Sequence, residues 1–440
     1  MRRAGRQGDL TVKWLRRLFA LLALLLVLLA GWVISVADVG HRADAQTTVS
    51  QATLRDPALI ARGDYLTKAA DCAGCHTAQG GQPMAGGRLL ATPFGNIPVP
   101  NITPDQETGL GRWSFEDFWQ ALHSGRGRQG EWLYPAFPYT SYTRVTRDDA
   151  LAMFAYLRSL PSVHQRTGPG SLGFPYSRRE SLVAWRALYF RAGEFQSDPN
   201  QTAQWNRGAY LVRGLGHCSE CHAARNAWGG TPSAPALSGG QIPVQNWYAP
   251  DLGTREHGGL QGWHKQDIVQ LLKTGQSGKG TAFGPMADVV VGSTQHLSDD
   301  DLQAIATYLV SLPPRVAGPE LEAKTHDDAL VHQGQQVYGE HCADCHGKDG
   351  RGVAGVYPPL DGNPSVIEPS GINATRAVLL GGFAPLTEAH ARPYSMPPFA
   401  QQLSDAEVAA VVSYVRHSWS NRASAVRPEA VGRDRHTPVD

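Results

Sequence analysis

One five-residue pattern, C-x-x-C-H, occurs three times in this chain, at residues 72–76, 218–222 and 342–346. In this pattern two cysteine sulfurs can form thioethers with the vinyl groups of a porphyrin, and the histidine that follows can ligate its iron. Two cysteines three positions apart lie on neighbouring corners of one helical turn, so both can reach the same macrocycle. The residues are Cys72, Cys75, Cys218, Cys221, Cys342 and Cys345, with His76, His222 and His346. The pattern predicts three covalently bound haem c groups.

A zinc knuckle or a thioredoxin-like redox pair is the alternative interpretation of paired cysteines. The chain contains six cysteines, and all six belong to the three motifs. No thiol remains for a disulfide or for a separate metal cluster, so the pattern favours haem.

The second axial ligand of each iron can be sought among the methionines, because a His/Met pair raises the reduction potential of a haem. Met286 lies in the stretch 283–286 and Met396 in the proline-rich stretch 394–399, each ahead of the last helix of its unit. We predict that these two methionines are distal ligands. A methionine that only fills the core is the alternative in both cases.

The first unit departs from this pattern, since Ala136 or Phe137 stands where the ligand loop would place a methionine. Met84 and His123 are weak candidates for this position, whereas packing is the expected role of Met153. A five-coordinate iron or a shifted loop register is equally compatible with the sequence. The sixth ligand of the first haem therefore stays open.

The three motifs sit in similar surroundings, which indicates internal repeats. A short helical stretch containing Gly63, Gly208 or Gly334 precedes each motif, and an amphipathic helix closes each unit. Before each closing helix a hydroxyl side chain is followed three residues later by an acid, which predicts capping boxes. The pairs are Thr146 with Asp149, Ser298 with Asp301 and Ser404 with Glu407.

The repeats predict an all-α fold of small helical domains, with the proline- and glycine-rich stretches 93–104 and 229–250 as loops wrapped on haem. The domains are expected at residues 50–160, 200–315 and 325–420, with a connecting segment at 161–199 and a polar tail at 421–440. We predict a helix within 178–196, and a proline turn at 357–360 that accepts a hydrogen bond from the proximal histidine. His217 and His341 are expected to face solvent. Four candidate hydrogen-bond donors to haem propionates are Trp113, Trp247, Tyr248 and Trp263.

The N-terminal residues 1–45 read as an export signal, because six basic side chains precede or open an apolar run from Leu18 to about Val36. The run is about long enough to span a bilayer, although 43–45 offers a small-residue cleavage site. We expect a retained signal anchor in the cytoplasmic (inner) membrane, with the haem domains on the periplasmic side. Thioether formation suits that oxidising compartment.

Charge and motif content exclude several classes of function. Without residues 1–36 the chain has 34 Lys and Arg against 38 Asp and Glu, a formal charge of −4. Nucleic acid is therefore not expected as a partner. The one G-x-G-x-x-G spacing, at 125–130, follows a predicted helix and not a strand, so it does not match the dinucleotide-binding fingerprint. The sequence also has no serine nucleophile elbow, and we therefore expect no substrate chemistry in this chain.

Several stretches resemble the triheme cytochrome c subunits of membrane-bound alcohol, gluconate, sorbitol and fructose dehydrogenases, and related subunits of molybdenum aldehyde or N-heterocycle oxidoreductases. The resemblance covers roughly residues 60–420 and rests on 94–97, 101–105, 134–136, 207–211, 214–218, 224–227 and 293–295. It implies three tandem cytochrome c domains after an N-terminal apolar helix. It also implies a catalytic dehydrogenase partner of flavin, quinone-cofactor or molybdenum type, and ubiquinone or a terminal oxidase as electron acceptor. Several such subunits attach through a C-terminal tail, but residues 419–440 here offer no apolar surface.

The leading hypothesis is thus an electron-transfer subunit of a dehydrogenase complex. Phe137 keeps a second hypothesis open, in which the chain is a haem enzyme with an open first iron. A free-standing periplasmic electron carrier is the third.

Overall fold

The structure is a computed structural model that describes residues 4–37, 49–231, 237–255, 258–313 and 328–437. Helices account for 46% of it, in line with the expected helical class. The first helix, α1 (Ala4–Ala37), contains a stretch, Lys13–Val33, that is long and apolar enough to cross a membrane. Of the side chains described for α1, that of Val33 alone is not exposed. The predicted cleavage site at 43–45 lies outside the described residues.

The first unit is a set of helices around one hairpin. Its elements are α2 (Gln51–Leu54), α3 (Pro57–Ala69), α4 (Cys72–His76), β1 (Leu89–Thr92), β2 (Gly95–Pro98), α5 (Phe115–Ser124), α6 (Tyr139–Tyr142) and α7 (Arg147–Ser159). Helix α3 begins where the Asp56 side chain accepts a hydrogen bond from the Ala58 N–H and Pro57 occupies the first helical position. The expected loop at 93–104 contains β2, which pairs antiparallel with β1.

The connecting segment contains the predicted helix in a shorter form, α8 (Leu182–Tyr189), after a 3₁₀ turn at Arg179–Ser181. The second unit follows the same plan as the first. Its elements are α9 (Ala203–Tyr210), a π-helical turn (Leu211–Leu215), α10 (Ser219–His222), β3 (Gly240–Ile242), β4 (Trp247–Ala249), β5 (Thr254–Arg255), β6 (Gly258–Gly259), α11 (Lys265–Thr274), β7 (Gln276–Ser277), β8 (Gly280–Thr281), α12 (Pro285–Gly292) and α13 (Asp299–Val310).

The third unit repeats the opening and closing helices. Its elements are α14 (Asp328–His341), α15 (Ala343–His346), α16 (Ile372–Leu380), β9 (Gly382–Phe383), β10 (Ser395–Met396), α17 (Asp405–His417) and α18 (Pro428–Arg435). Helix α18 lies in the stretch expected as a polar tail, yet it packs on α16 and α17 with Val426 and Val431 buried. The tail is polar in composition, but its few apolar side chains face the third unit and hold it there.

A glycine lets the opening and closing helices of each unit cross at close range. A Cβ atom at Gly63, Gly208 or Gly334 would lie 1.9, 1.9 or 2.1 Å from a carbonyl oxygen of α7, α13 or α17, respectively. Any larger side chain would push the two helices apart, since a carbon atom cannot approach a backbone oxygen so closely. The glycine that recurs in the sequence repeat therefore fixes the same helix crossing three times.

The cores divide the chain differently from the repeats. The first and second units share one continuous hydrophobic core that includes Phe154, Leu157, Leu211 and Leu302. The third unit has a core of its own, formed by valines of α17 and their neighbours. The first two units are therefore packed as one body, on which the third unit is docked.

Two of the three predicted capping boxes are wrong. Ser404 and Glu407 form a complete box at the start of α17. At α7 and α13 the hydroxyl caps the helix, but the carboxylates of Asp149 and Asp301 bind side chains instead. These carboxylates turn away because arginine and tyrosine donors from the opening helices form stronger, charge-assisted hydrogen bonds with them.

The two carboxylates form a reciprocal contact between the first and second units, which we call the Tyr–Asp clamp. Tyr65 donates a hydrogen bond to Asp301 (2.6 Å), and Tyr210 donates one to Asp149 (2.5 Å). Each carboxylate also pairs with an arginine of its own unit, Arg62 with Asp149 and Arg207 with Asp301. Each unit thus offers the other a tyrosine and receives one in return.

The third unit does not carry the side chains of the clamp. Aligned on the crossing glycine, Gln333 and Gln336 stand in place of the arginine and the tyrosine. Glu407 stands in place of the aspartate and is used in its own capping box. The clamp therefore distinguishes the first two units from the third.

Candidate haem sites

Each C-x-x-C-H motif forms a short helical turn whose histidine is oriented by a prolyl carbonyl. The Nδ1 atoms of His76, His222 and His346 lie 2.7, 2.6 and 3.1 Å from the carbonyl oxygens of Pro100, Pro250 and Pro358, respectively. Because a carbonyl oxygen can only accept, Nδ1 carries the proton in all three rings. The Nε2 atom is thereby left with a free lone pair, as an iron ligand requires.

The proline turn predicted at 357–360 is confirmed, since Pro358 accepts the hydrogen bond from His346. The equivalent contacts of Pro100 with His76 and of Pro250 with His222 were not predicted from the sequence. Pro100 is 24 residues from its histidine and Pro250 is 28, compared with 12 for Pro358. The signal available in the sequence was a proline followed by Asn101 or Asp251 at the end of each hairpin.

Burial keeps the three imidazoles neutral. It lowers the pKa of His76, His222 and His346 below the usual range, and the hydrogen bond to the prolyl carbonyl opposes this shift only in part. A neutral imidazole is the form that binds a metal, so the rings are prepared for ligation near pH 7.

The six cysteines are free thiols in the structure. None of the six forms a disulfide. Across the described residues, no three His, Cys, Asp or Glu side chains are grouped so that they could hold a metal ion. Burial raises the pKa of Cys72 and Cys218 to about 12, which disfavours the thiolate that zinc binding needs. This environment fits thioether attachment better than it fits a zinc knuckle.

The second and third sites open into one apolar cavity of about 460 Å³. Its lining includes His222 and Met286 of the second site and His346 and Met396 of the third. Each pair brings an imidazole nitrogen and a thioether sulfur to an apolar space, which is the donor set of a His/Met haem.

Orphaned polar atoms in the lining indicate that the cavity accommodates a polar group as well. Trp263 Nε1 and Gln276 Oε1 are buried and have no hydrogen-bond partner in the structure. A buried donor without a partner costs free energy unless a bound group satisfies it. Trp263 is one of the four residues predicted to face a propionate, and its unsatisfied N–H fits that role.

The two predicted methionine ligands sit on constrained backbone. Met286 is the second residue of α12, directly after Pro285 at the first helical position and Gly284 at φ +53°. Met396 belongs to β10, where it pairs with Gly382 of β9. A proline-started helix and a hairpin strand both restrict the position of the thioether.

The first site is built differently at the loop that corresponds to the Met286 loop of the second site. The Phe137 ring packs 5.5 Å from that of Tyr142, whose hydroxyl donates to the carbonyl of Ala70 at 2.8 Å. Met153 is fully buried in α7 as a core residue. The loop that carries a methionine in the second site thus carries an aromatic packing residue in the first.

The two weak ligand candidates have structural partners of their own. Met84 is buried with a left-handed backbone, and its carbonyl accepts a hydrogen bond from the Ile102 N–H. The ring of His123 stacks on Trp119 at 4.7 Å, and its Nδ1–H donates to the carbonyl of Thr143. Burial lowers the pKa of His123.

His217 joins the first and second sites, so the prediction that it faces solvent is wrong. Its Nε2–H donates to the carbonyl of Ala70 at 3.3 Å, and its ring meets that of Tyr142 edge-on at 5.5 Å. The residue lies on the face that the second motif turns towards the first unit. His341 is exposed as predicted. Because Ala70 and His217 flank the first and second motifs, this contact places the two motifs side by side.

A buried carboxyl group next to the first motif was also missed. Asp71 precedes Cys72 and lines the cavity of the second site, and its Oδ1 is buried without a partner. Desolvation raises its pKa to about 7, although a backbone hydrogen bond from Gly74 opposes the shift. The signal in the sequence was an acid directly before the first cysteine.

Comparison with known proteins agrees with this geometry. The family model described as cytochrome c matches residues 60–161, 206–313 and 331–419. The chain belongs to the cytochrome c family. As cytochromes c, the matched segments each contain one C-x-x-C-H motif and one glycine-mediated helix crossing, which are the features that define the three units.

The chain is also similar to curated cytochrome subunits of dehydrogenases. It is 41% identical over 390 residues to the alcohol dehydrogenase (quinone) cytochrome c subunit of Gluconobacter oxydans, with 84% of this chain and 80% of that protein covered. It is 38% identical over 400 residues to the gluconate 2-dehydrogenase cytochrome c subunit of Pantoea cypripedii, with 86% and 90% covered. It is 35% identical over 403 residues to the fructose dehydrogenase cytochrome subunit of Gluconobacter japonicus, with 84% and 82% covered.

Proposed function

We propose that this cytochrome c is the triheme electron-transfer subunit of a membrane-bound dehydrogenase. It takes electrons from a catalytic subunit and delivers them to membrane ubiquinone or a terminal oxidase. The observation that carries the proposal is the threefold repetition of a cysteine pair with a histidine whose Nδ1–H is held by a prolyl carbonyl. The three family-matched segments and the named relatives support it.

Three cytochrome c domains would each hold one haem c. The cysteine pairs at 72 and 75, 218 and 221, and 342 and 345 would supply the thioethers, and His76, His222 and His346 the proximal ligands. Met286 and Met396 would supply the distal ligands of the second and third sites. When bound, the haem irons exchange single electrons between the ferric and ferrous states, and His/Met ligation raises their potential.

The protein's own contribution is to place the three sites in series. Residues next to the first and second motifs touch through Ala70 and His217. The second and third sites share one apolar cavity. The second site therefore lies between the other two, and the space that joins it to the third is lined mainly by apolar surface. Such a series suits transfer through the chain better than it suits chemistry on a substrate.

Membrane attachment in this proposal relies on α1. Its span Lys13–Val33 is preceded by basic residues and contains no buried side chain. With the basic end inside, the three domains lie on the periplasmic side of the inner membrane. That position brings them next to a quinone dissolved in the bilayer.

Purification from detergent-solubilised membranes tests the proposal. We expect the chain to co-purify with a larger catalytic subunit that contains a flavin, a quinone cofactor or a molybdenum centre. The complex should reduce a ubiquinone analogue with the substrate of that subunit. The matched control is the complex carrying Cys218→Ala and Cys221→Ala, which should oxidise substrate with an artificial dye but no longer reduce the quinone. A chain that purifies alone, or that oxidises an alcohol, sugar or aldehyde by itself, would contradict the proposal.

Phe137 favours a second candidate, a haem enzyme with an open first iron. Its ring occupies the loop position where the second site has Met286, and it packs on Tyr142 instead of offering a ligand atom. Carbon monoxide binding to the reduced protein distinguishes the candidates. Rapid binding at one site in three supports an open first iron. A spectrum that stays low-spin and unchanged excludes it and indicates that Met84, His123 or another side chain ligates the metal.

A further inference from the structure

Three large apolar side chains are exposed around the connecting helix α8. The exposed fractions of Phe174, Leu188 and Trp228 are 86%, 62% and 65%, respectively. Leu188 lies on α8 itself. We refer to Phe174, Leu188 and Trp228, together with the exposed Arg178 and Arg191, as the interfacial surface.

The turn that carries Trp228 is fixed to α8 by hydrogen bonds. Trp185 Nε1 donates to the carbonyl of Trp228 at 3.0 Å, and Asn226 Nδ2 donates to the Tyr189 hydroxyl at 2.8 Å. Asn226 Oδ1 also accepts from the N–H of Trp228. The indole of Trp228 is therefore held outward by an ordered turn.

Phe174 belongs to the same region of the surface. The Tyr176 ring packs 4.3 Å from that of Phe94, and Phe94 lies against Gly229, the neighbour of Trp228. The carbonyl of Tyr176 accepts a hydrogen bond from the Tyr134 hydroxyl. These contacts link the stretch around Phe174 to the turn at 226–230, so that the three apolar side chains share one side of the molecule.

The interfacial surface lies beside the anchor helix. Helix α8 packs against α1. Among the α1 side chains whose burial is described, Val33 at the end of the candidate span is partly covered, and the exposed fraction of Trp32 is 46%, compared with 71% for Trp14 at the opposite end. The contact is therefore at the end of α1 that leads into the haem domains, where the anchor leaves the bilayer.

The charged residues nearby are mostly basic. Arg178, Arg179 and Arg191 are exposed next to the apolar side chains, and the exposed acids of the same segment are Glu180 and Glu194. A surface that enters the headgroup layer of a membrane typically combines exposed tryptophan and phenylalanine with flanking arginine. The aromatic rings then lie at the boundary of the acyl chains, and the guanidinium groups bind lipid phosphates.

We propose that the interfacial surface inserts into the headgroup layer of the outer leaflet and binds anionic phospholipid. The inference rests on the membrane attachment in the proposed function. The interfacial surface would be a second membrane contact in addition to α1, and the connecting segment would thereby set the orientation of the haem domains towards the bilayer. A single membrane-spanning helix without such a contact would leave the tilt of the haem domains relative to the bilayer unfixed.

Photo-crosslinking in membranes tests the inference on the full-length haem-loaded chain. The protein is reconstituted in phosphatidylcholine vesicles with phosphatidylglycerol carrying a diazirine near the headgroup, and lipid adducts are mapped by mass spectrometry. We expect at least about fivefold more adduct on peptides from 174–191 and 226–231 than on 383–394, because only the former would enter the interface. The segment 383–394 is a matched comparison, since Phe383 and Leu386 are equally exposed on the third unit.

Paired variants separate lipid contact from general exposure. Leu188→Ser with Trp228→Ser should lower the adduct yield on 174–191 by about fivefold, whereas Phe383→Ser with Leu386→Ser should leave it unchanged. An unchanged haem spectrum confirms that each variant has folded. Adducts on 13–33 without adducts on 174–191 and 226–231 would overturn the inference and assign the surface to a protein partner. If 13–33 is not labelled either, the membrane attachment itself is wrong.

Discussion

The Tyr–Asp clamp gives the sharpest test of how the first two units are joined. Tyr210→Phe removes one hydroxyl that donates to the buried carboxylate of Asp149 at 2.5 Å and leaves the packing of the ring intact. A hydrogen bond to a charged group contributes about 2 kcal/mol, which corresponds to a factor of roughly thirty in an opening equilibrium. The same reasoning applies to Tyr65→Phe, which removes the donor to Asp301.

Native-state hydrogen exchange of the haem-loaded chain measures this effect unit by unit. Exchange of the most protected amides in α3, α7, α9 and α13 should accelerate about thirtyfold in either variant, and those of α14 and α17 should not change. The double variant should lose roughly twice the free energy of one, because the two contacts share no residue. Tyr338→Phe is the matched control, since its hydroxyl donates to the carbonyl of Gly347 inside the third unit.

Faster exchange in all three units alike in Tyr210→Phe would contradict this prediction, because the third unit would then not be a separate cooperative body. An unchanged exchange rate in the first two units of Tyr210→Phe, with a destabilised third unit in Tyr338→Phe, would contradict it as well.

Three further predictions concern single sites. Met396→Ala should lower the reduction potential of one haem and let carbon monoxide bind it when reduced, whereas a core role for Met396 would leave both properties unchanged. Gly334→Ala should destabilise the third unit by about 3 kcal/mol in exchange measurements, because the added Cβ would lie 2.1 Å from a carbonyl oxygen of α17. Burial raises the pKa of Asp71 in the folded state to about 7, whereas the unfolded chain has a value of about 4. The contribution of this carboxyl to the free energy of unfolding is therefore fully present below pH about 4 and is lost as the pH rises to about 7. Asp71→Asn should therefore flatten the pH dependence of unfolding in denaturant between those values and stabilise the first unit at pH 8 by as much as about 4 kcal/mol, and an unchanged pH profile would contradict this.

The local features of the fold could be predicted from the sequence because they are decided within one or two helical turns. The hydroxyl caps at Thr146, Ser298 and Ser404 are in place, and the helices that follow them close each unit. The Pro358 turn is also local, since it lies only 12 residues from His346.

The contacts between units could not be predicted in this way. Asp149 and Asp301 fit a capping-box pattern, but their partners are residues of other helices, one of them in the neighbouring unit. His217 looked like a solvent-facing neighbour of a cysteine because nothing local indicates that the first unit covers it. The burial that raises the pKa of Asp71 arises from the second site, which is remote in sequence.

The central claim is that the six cysteines hold three macrocycles, and the mass of the mature polypeptide tests it most directly. Intact mass spectrometry together with a pyridine haemochrome assay should find three covalent haem groups per chain. The Cys218→Ala and Cys221→Ala variant should retain two. A mature chain with no added mass, or with fewer than three haems, would contradict the account.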